Sequence, residues 1–463
     1  MTRLLRYFLL VTVLFLGSSM LTAQVTQSIR GLHKVKKKET IFGISRMYDI
    51  TVEELINANP EMKESGYELK KNNVIKIPYP SKTATQGQTV TPTQNQPVAT
   101  APAVGSASKG ISNRAIRLGV MLPLHDINGD GKRMLEYYRG VLMACDSVKK
   151  LGISVDVHAW NMAEDANVQQ ILEDKAAANC DLIIGPLYSK QMEALSNFVS
   201  KHDIQLVIPF SINAPQLATN RHIFQIWQSL TDINEATITQ FLNRFKDYHP
   251  VFIDCNDSTS RKGNFTAGLR RQLEQRGINY SLTNLRSGEE NFSKAFSTVK
   301  RNVVILNTGR SQELGIAFSK LNGLKVVSSG LDITMFGYTD WLLYTRTHLE
   351  NLYKFNAYIP SVFYYNPLTA ATQRIEQKYR WNFHADMQGL LPRFAITGFD
   401  QAYFFLRGLH KYGKSFNGAA GMLGYAPVQT PLQFERYGNG GLRNKALLFV
   451  HYTPGHTVET IRF

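Results

Sequence analysis

Gly408-Leu409-His410-Lys411-Tyr412-Gly413-Lys414-Ser415 has the spacing G-x-x-x-x-G-K-S of a loop that cradles phosphates on backbone N–H groups. That chemistry needs a strand before the loop and a helix after it. Here a helical pattern, Ile396 to Leu409, precedes the motif and Phe416-Asn417-Gly418 follows, so a glycine-terminated helix accounts for the residues. Asp126-x-Asn128-x-Asp130-Gly131 opens like a calcium loop, but the twelfth position, which should carry a bidentate Glu, is Tyr137, and Glu136 misses by one. A polar turn after the first strand explains it. The 11 histidines show no H-E-x-x-H or other zinc spacing, and no G-x-S-x-G elbow or carboxylate pair stands out. Cys145, Cys180 and Cys255 are too few and too widely spaced for a metal cluster or a disulfide framework, and are expected as small buried hydrophobes, the alternative being one bridged pair in an oxidising compartment. The reading is a binding protein, not an enzyme, with no cofactor and no metal.

One turn stands apart. Gly185-Pro186-Leu187-Tyr188-Ser189 follows an apolar strand and starts a helix, and such a turn presents free N–H groups to an anion. The alternative is that these are turn and cap residues only. The elements around it alternate. Ile116–Leu122, Val155–Trp160, Asp181–Gly185, Gln205–Pro209, Val251–Cys255, Tyr280–Leu285, Val303–Asn307 and Val326–Ser329 read as strands. Leu135–Lys149, Val168–Ala178, Gln191–Lys201, Gly268–Arg276 and Glu313–Leu321 read as helices. Repeated βα units with fully apolar strands predict an α/β fold, a parallel sheet with helices on both faces. A segment of about 350 residues exceeds one such core, so two lobes are expected.

The chain has 463 residues, 43% hydrophobic and 19% charged, which is globular composition. Its formal net charge of +16 favours anionic partners. The first residues turn that expectation away from nucleic acid. Arg3 and Arg6, the apolar run Tyr7–Leu16 and the small-residue end Leu21-Thr22-Ala23 predict a secretory signal over 1–23, cleaved before Gln24. The apolar run is too short to span a bilayer comfortably, and no later stretch predicts a membrane helix. The expected compartment is the periplasm, or the cell envelope more broadly. Residues 81–112, SKTATQGQTVTPTQNQPVATAPAVGSASKG with its flanks, hold almost no charge and no aromatic residue, and predict a flexible tether with a span on the order of 30 Å.

Between signal and tether, Leu32–Lys36 and Val74–Ile77 alternate as strands. Thr40–Tyr48 has helical spacing, and Thr51-Val52-Glu53-Glu54 opens a second helix with a capping pattern. The order is βααβ, with an expected core of Val35, Ile41, Ile44, Leu55, Ile56, Ile75 and Ile77. The run V-K-K-K-E-T-I-F-G-I-S-R-M-Y-D-I-T-V-E-E-L-I-N-A-N-P, closing with I-K-I-P, resembles the LysM family over residues 32–80. Lys38-Glu39-Thr40-Ile41 stands where that family has Gly-Asp-Thr-Leu, and Asn57-Ala58-Asn59-Pro60 matches its Asn-x-Asn-Pro. The resemblance implies a shallow groove for N-acetylglucosamine-containing glycan, so the implied partner is peptidoglycan. Lys38, Glu39, Thr40 and Ile41 would form one wall, and Asn59, Pro60 and Met62 the other. Lys38 departs from the family's glycine, which is costly if that position needs positive φ. Read without the family, Thr40 is a helix cap and Asn59-Pro60 a turn.

In residues 113–463, IRLGVMLPL, DLIIGPLYS, LVIPFS and TGFDQAYFFLRGL resemble the type 1 periplasmic binding proteins, the branched-chain amino-acid-receptor-like group, in the right order. The segment is also similar to periplasmic activators of peptidoglycan synthases that share this fold. The resemblance implies two Rossmann-like lobes joined by several crossings, with a cleft between them. Carried over by position, Gly185, Pro186, Tyr188 and Ser189 would line the cleft, with Ser211 and Asn213 meeting a ligand carboxylate and Asp332 meeting an amine from the second lobe. The expected function is an exported peptidoglycan-binding protein that presents a cleft for a small amino-acid-like ligand or an envelope protein. The alternative is a regulator of a wall-synthesis machine with a degenerate cleft.

Overall fold

The computed structural model describes residues 29–78, apart from positions 37–38, 49, 51, 64–66 and 68, and residues 110–463. The expected signal, all but the last three residues of the expected tether, Lys38 and the capping Thr51 lie outside the described residues. The chain divides into two units, one within residues 1–102 and one within 103–463.

In the small unit β1 (Ile29–Lys34), α1 (Ile41–Met47), α2 (Val52–Ala58) and β2 (Val74–Pro78) give the order βααβ. A 3-10 turn, Pro60–Lys63, follows α2. β1 and β2 pair antiparallel, with His33 opposite Ile75 and Lys34 opposite Val74. Strand alternation turns Ile75 and Ile77 inward and leaves Val74 and Lys76 in solvent. The core is Val35, Ile44, Ile50, Leu55, Met62, Ile75 and Ile77, with Ile41 and Ile56 partly buried against it. Ile50 and Met62 were not expected there. Ile50 precedes the second helix and joins Leu55 in the core, which is the hydrophobic-staple arrangement.

The large unit begins with β3 (Ile116–Leu122), α3 (Gly129–Lys149), β4 (Val155–Asn161), α4 (Val168–Leu172), α5 (Lys175–Ala178), β5 (Leu182–Ile184), α6 (Met192–His202), β6 (Gln205–Ile208) and β7 (Ile223–Gln225). A second lobe follows: α7 (Leu230–Arg244), β8 (His249–Asp254), α8 (Gly263–Gln275), β9 (Ser281–Asn284), α9 (Glu289–Ser293), β10 (Asn302–Leu306), α10 (Ser311–Val327), β11 (Ile333–Phe336), α11 (Thr345–Lys354) and β12 (Tyr358–Ser361). The chain then returns to the first lobe with α12 (Ala370–Phe383), α13 (Phe394–Tyr412), β13 (Phe434–Arg436) and β14 (Leu442–Asn444). It finishes in the second lobe with β15 (Leu448–Tyr452) and β16 (Val458–Arg462).

The two sheets share one plan. The first is ordered β13-β14-β7-β6-β5-β3-β4 and the second β16-β15-β12-β11-β10-β8-β9. In each, five sequential strands run parallel because helical crossovers join them, and two C-terminal strands complete one edge. β5, β6 and β10 are buried along their whole length, as strands covered on both faces must be. The chain therefore passes between the sheets three times: after β7, after β12 and after β14. The passages are tied to the chain beside them. Gln228 Nε2 donates to the Ala446 carbonyl at 2.7 Å, linking the first and third. The Tyr364 N–H donates to the Gln429 carbonyl at 2.9 Å. Asp232 accepts from Lys445 at 2.8 Å and pairs with Arg443 at 2.9 Å.

Two expectations need correction. Val326 and Val327 are not in a strand but close helix α10, whose buried Leu314, Ala317, Phe318, Leu321 and Leu324 keep helical period. The strand is Ile333–Phe336, so Asp332 precedes it and lies at its amino end, away from the cleft that forms at carboxyl ends. The Asp332 carboxylate is 3.3 Å from Arg301 Nε, and its carbonyl accepts from the Asn302 N–H at 2.8 Å.

The decoy motifs resolve as caps. Asn128 caps α3, its Oδ1 accepting from the Gly131 N–H at 2.8 Å. Gly408 lies inside α13 beneath the Phe416 ring, and Gly413 ends that helix with φ of 54°. No group of three or more candidate metal ligands occurs among the described residues.

Candidate functional site

Glu39 ties together the described residues between β1 and α1. Its Oε2 accepts from the Lys36 N–H at 2.7 Å and lies 2.8 Å from His33 Nε2. His33 Nδ1 lies 2.8 Å from the Tyr48 hydroxyl, so the buried imidazole bridges helix end and loop. The Lys36 N–H, then His33, holds the Glu39 carboxyl below its ordinary range. Thr40 Oγ1 accepts from the Gly43 N–H at 3.0 Å and caps α1, yet Thr40 stays exposed. Ile41 is half-buried against the core.

After α2, Asn59 is fully buried. Its Nδ2 donates to the carbonyls of Leu55 at 2.8 Å and Lys76 at 2.7 Å, and its Oδ1 accepts from the Lys76 N–H at 2.7 Å. Met62 points into the core and Pro60 is exposed. Of the seven implied groove residues, Thr40 and Pro60 face solvent. Asn59 and Met62 support the loop from behind, because both side chains are buried and present no surface to a sugar.

In the large unit, the loops after β5 and β6 converge. Ser189 Oγ lies 3.5 Å from Ser211 Oγ, and the Asn213 N–H donates to Ser211 Oγ at 3.1 Å. The Tyr188 hydroxyl is 3.5 Å from Asp130, which forms an ion pair with Arg133. Gly185 has φ of 142° and a Cβ there would meet the Met121 carbonyl, so this turn requires glycine. It leads through the 3-10 turn Ser189–Gln191 into α6, not directly into a helix. Beside Ser211, the Phe210 ring lies 5.4 Å from Tyr137, 5.6 Å from Phe394 and 6.1 Å from Trp227. This aromatic floor was not foreseen.

The second lobe meets the cleft with groups that are already paired. The acid beyond the carboxyl end of β11 is Asp340, whose Oδ2 is 2.6 Å from Lys262 Nζ; that ammonium sits 4.8 Å over the Tyr338 ring. Asp257 accepts from Thr259 Oγ1 at 2.6 Å, the Thr259 N–H at 2.9 Å and Thr308 Oγ1 at 2.7 Å, with Arg310 at 3.4 Å. Burial works against its charge, but these hydroxyl and amide donors win and hold the carboxyl below its ordinary range. Neighbouring Asp, Thr and Lys positions are common in βα loops, so the sequence offered no signal that these pair.

A family profile described as LysM domain matches residues 33–78. The small unit is a LysM domain. Comparison with curated proteins returned no match. Among solved structures, a branched-chain amino acid ABC transporter protein from Rhodospirillum rubrum is 14% identical with a TM-score of 0.49, covering 75% of this chain and 100% of that one. LivJ from Streptococcus pneumoniae, solved with isoleucine, is 14% identical with a TM-score of 0.37, covering 76% and 100%. LpoA from Haemophilus influenzae is 12% identical with a TM-score of 0.48, covering 76% of this chain and 60% of that one. The two-lobed reading of the unit that follows the LysM domain rests on strand order and the three passages between its sheets. Among the described residues no helix is long and apolar enough to cross a membrane.

Proposed function

We propose that this is an exported cell-envelope protein held on peptidoglycan by its LysM domain, with the two-lobed unit acting as a non-catalytic binding or docking body. The observation that carries the reading is the LysM domain at residues 33–78, since that family implies peptidoglycan binding. Thr40 and Pro60, exposed on loops pinned to one core, suit a shallow sugar contact. Retention of the chain from Gln24 by insoluble sacculi tests it. Retention should vanish when residues 24–80 are deleted, and unchanged retention overturns the anchor.

A second reading, a regulator that docks on a wall-synthesis machine, is favoured by one observation. The cleft-side acids of the second lobe, Asp340 and Asp257, are already bonded to Lys262 and to Thr259 and Thr308. A ligand ammonium would have to displace those partners. Thermal shift with amino acids and muropeptides separates the readings. A shift supports a small ligand, because a ligand that prefers the native state raises stability, and a uniformly null panel supports the regulator.

A further inference from the structure

The large unit carries a groove of about 350 Å³ lined by residues of α4 and α6 and by Glu173, which follows α4. Its floor is apolar: Leu172, Ala194 and Phe198, all half-buried. The Phe198 ring is joined at 4.6 Å by the ring of His202. Four polar side chains rim it: Gln169, Glu173, Asn197 and Lys201. All four are exposed, and among the described residues no hydrogen bond or ion pair engages any of them.

We propose that this groove is a second glycan site and takes an N-acetylated amino-sugar disaccharide. The inference rests on the reading that the protein resides on wall glycan. The chemistry of the lining selects the class. A groove of a few hundred Å³ suits a ligand of one or two rings. Its charge is balanced, Glu173 against Lys201, although the chain carries +16. A site for a nucleotide, phosphate or acidic lipid would show net positive charge; a balanced rim suits a neutral polyol. The carboxamides of Gln169 and Asn197 and the carboxylate of Glu173 are planar groups that bond neighbouring hydroxyls in pairs. Phe198 gives sugar C–H groups an apolar aromatic contact, and Leu172 with Ala194 gives an acetyl methyl an apolar wall. A weak second contact on the same chain as the LysM domain raises retention through effective concentration, with no need for either site to be tight.

The test is methyl NMR on the chain from Gln24, titrated with N,N′-diacetylchitobiose. The Leu172 and Ala194 methyls should shift saturably. Glu173→Ala with Asn197→Ala, both exposed and harmless to the fold, should weaken that response at least tenfold and leave the thermal midpoint unchanged. The Ile41 methyls report the LysM domain separately. Leu172 and Ala194 standing still while Ile41 moves overturns the groove and leaves the anchor intact. Movement at Leu172 and Ala194 with Ile41 silent supports the groove and overturns the anchor. Silence at both overturns both. A response that persists in the double variant, or that maltose reproduces equally, overturns the assignment to amino sugar at these residues.

Discussion

Asn59 and Lys76 exchange a reciprocal pair of hydrogen bonds, Nδ2 to carbonyl and amide N–H to Oδ1, each 2.7 Å. The carboxamide stands in for a third strand along β2 and, through a further bond to the Leu55 carbonyl, fixes the end of α2 to the sheet. Asn59→Ala removes three short hydrogen bonds, one of them buried, and is expected to cost the LysM domain about 1–3 kcal/mol. Asn59→Asp should cost more, because a carboxylate oxygen would face two carbonyls. Hydrogen exchange of the LysM amides within the full chain measures both; protection equal to that of the unsubstituted chain would sink the claim that Asn59 is structural.

Met62 and Thr40 should separate stability from recognition. Met62→Ala removes a buried side chain from a core of seven buried residues and should destabilise the domain by about 2–3 kcal/mol. Thr40→Ala removes only an exposed cap, worth about 1 kcal/mol. If Thr40 also faces the sugar, Thr40→Ala weakens sacculus retention more than its small loss of stability explains. Equal loss of retention per unit of stability in the two variants would remove Thr40 from the groove.

Gly140 and Gly398 let helices α3 and α13 cross with backbones in contact. A Cβ on Gly140 would overlap the Ala395 carbonyl, and one on Gly398 the Tyr137 carbonyl. Neither obstacle is the end of a flexible side chain, so the helices must separate. Gly140→Ala or Gly398→Ala should each cost about 1–3 kcal/mol and lower the thermal midpoint of the large unit. A midpoint unchanged or raised would show that the crossing relaxes freely.

Two buried carboxylates should give the large unit opposite responses to acid. Burial raises the carboxyl of Asp181, but the Arg114 fork at 2.7 Å and the Arg117 N–H at 2.9 Å outweigh it and hold the group below its ordinary value. Its contribution is present above the unfolded value and is lost as pH falls through the depressed folded one. Asp400 is pushed up to about 6 by complete burial, against the N–H groups of Thr430, Val428 and Gln429. The folded state then holds its proton more tightly than the unfolded chain, so its contribution falls as pH rises from about 4 to about 6. Asp181→Asn should flatten the acid limb of a midpoint-against-pH curve. Asp400→Asn should remove the decline between pH 4 and 6. Curves parallel to that of the unsubstituted chain would refute both assignments.

Much of this architecture was legible because it is written in local period. The βααβ order, the alternation of Ile75 and Ile77, and the apolar runs at Leu182–Ile184 and Val303–Leu306 are facts about neighbouring residues. Where period is ambiguous the reading failed. Val326 and Val327 favour a strand by type, but they extend a helix whose buried face ends at Leu321 and Leu324, and that error carried Asp332 to the wrong end of β11. Met62 and Asn59 were read as groove wall because their positions match a motif; a motif does not say which side of a loop faces the core.

By itself, then, the sequence determined the α/β class, many of the elements and the LysM domain, because propensity and pattern act over a turn of helix or a pair of strands. Only the tertiary structure decided that Asp340 pairs with Lys262, that Ser189 meets Ser211, and that Gln169 and Asn197 share one groove. Each of those pairs is separated by more than twenty residues of chain. Their meeting is set by strand order and helix packing, which depend on the sum of many contacts and on no single neighbour.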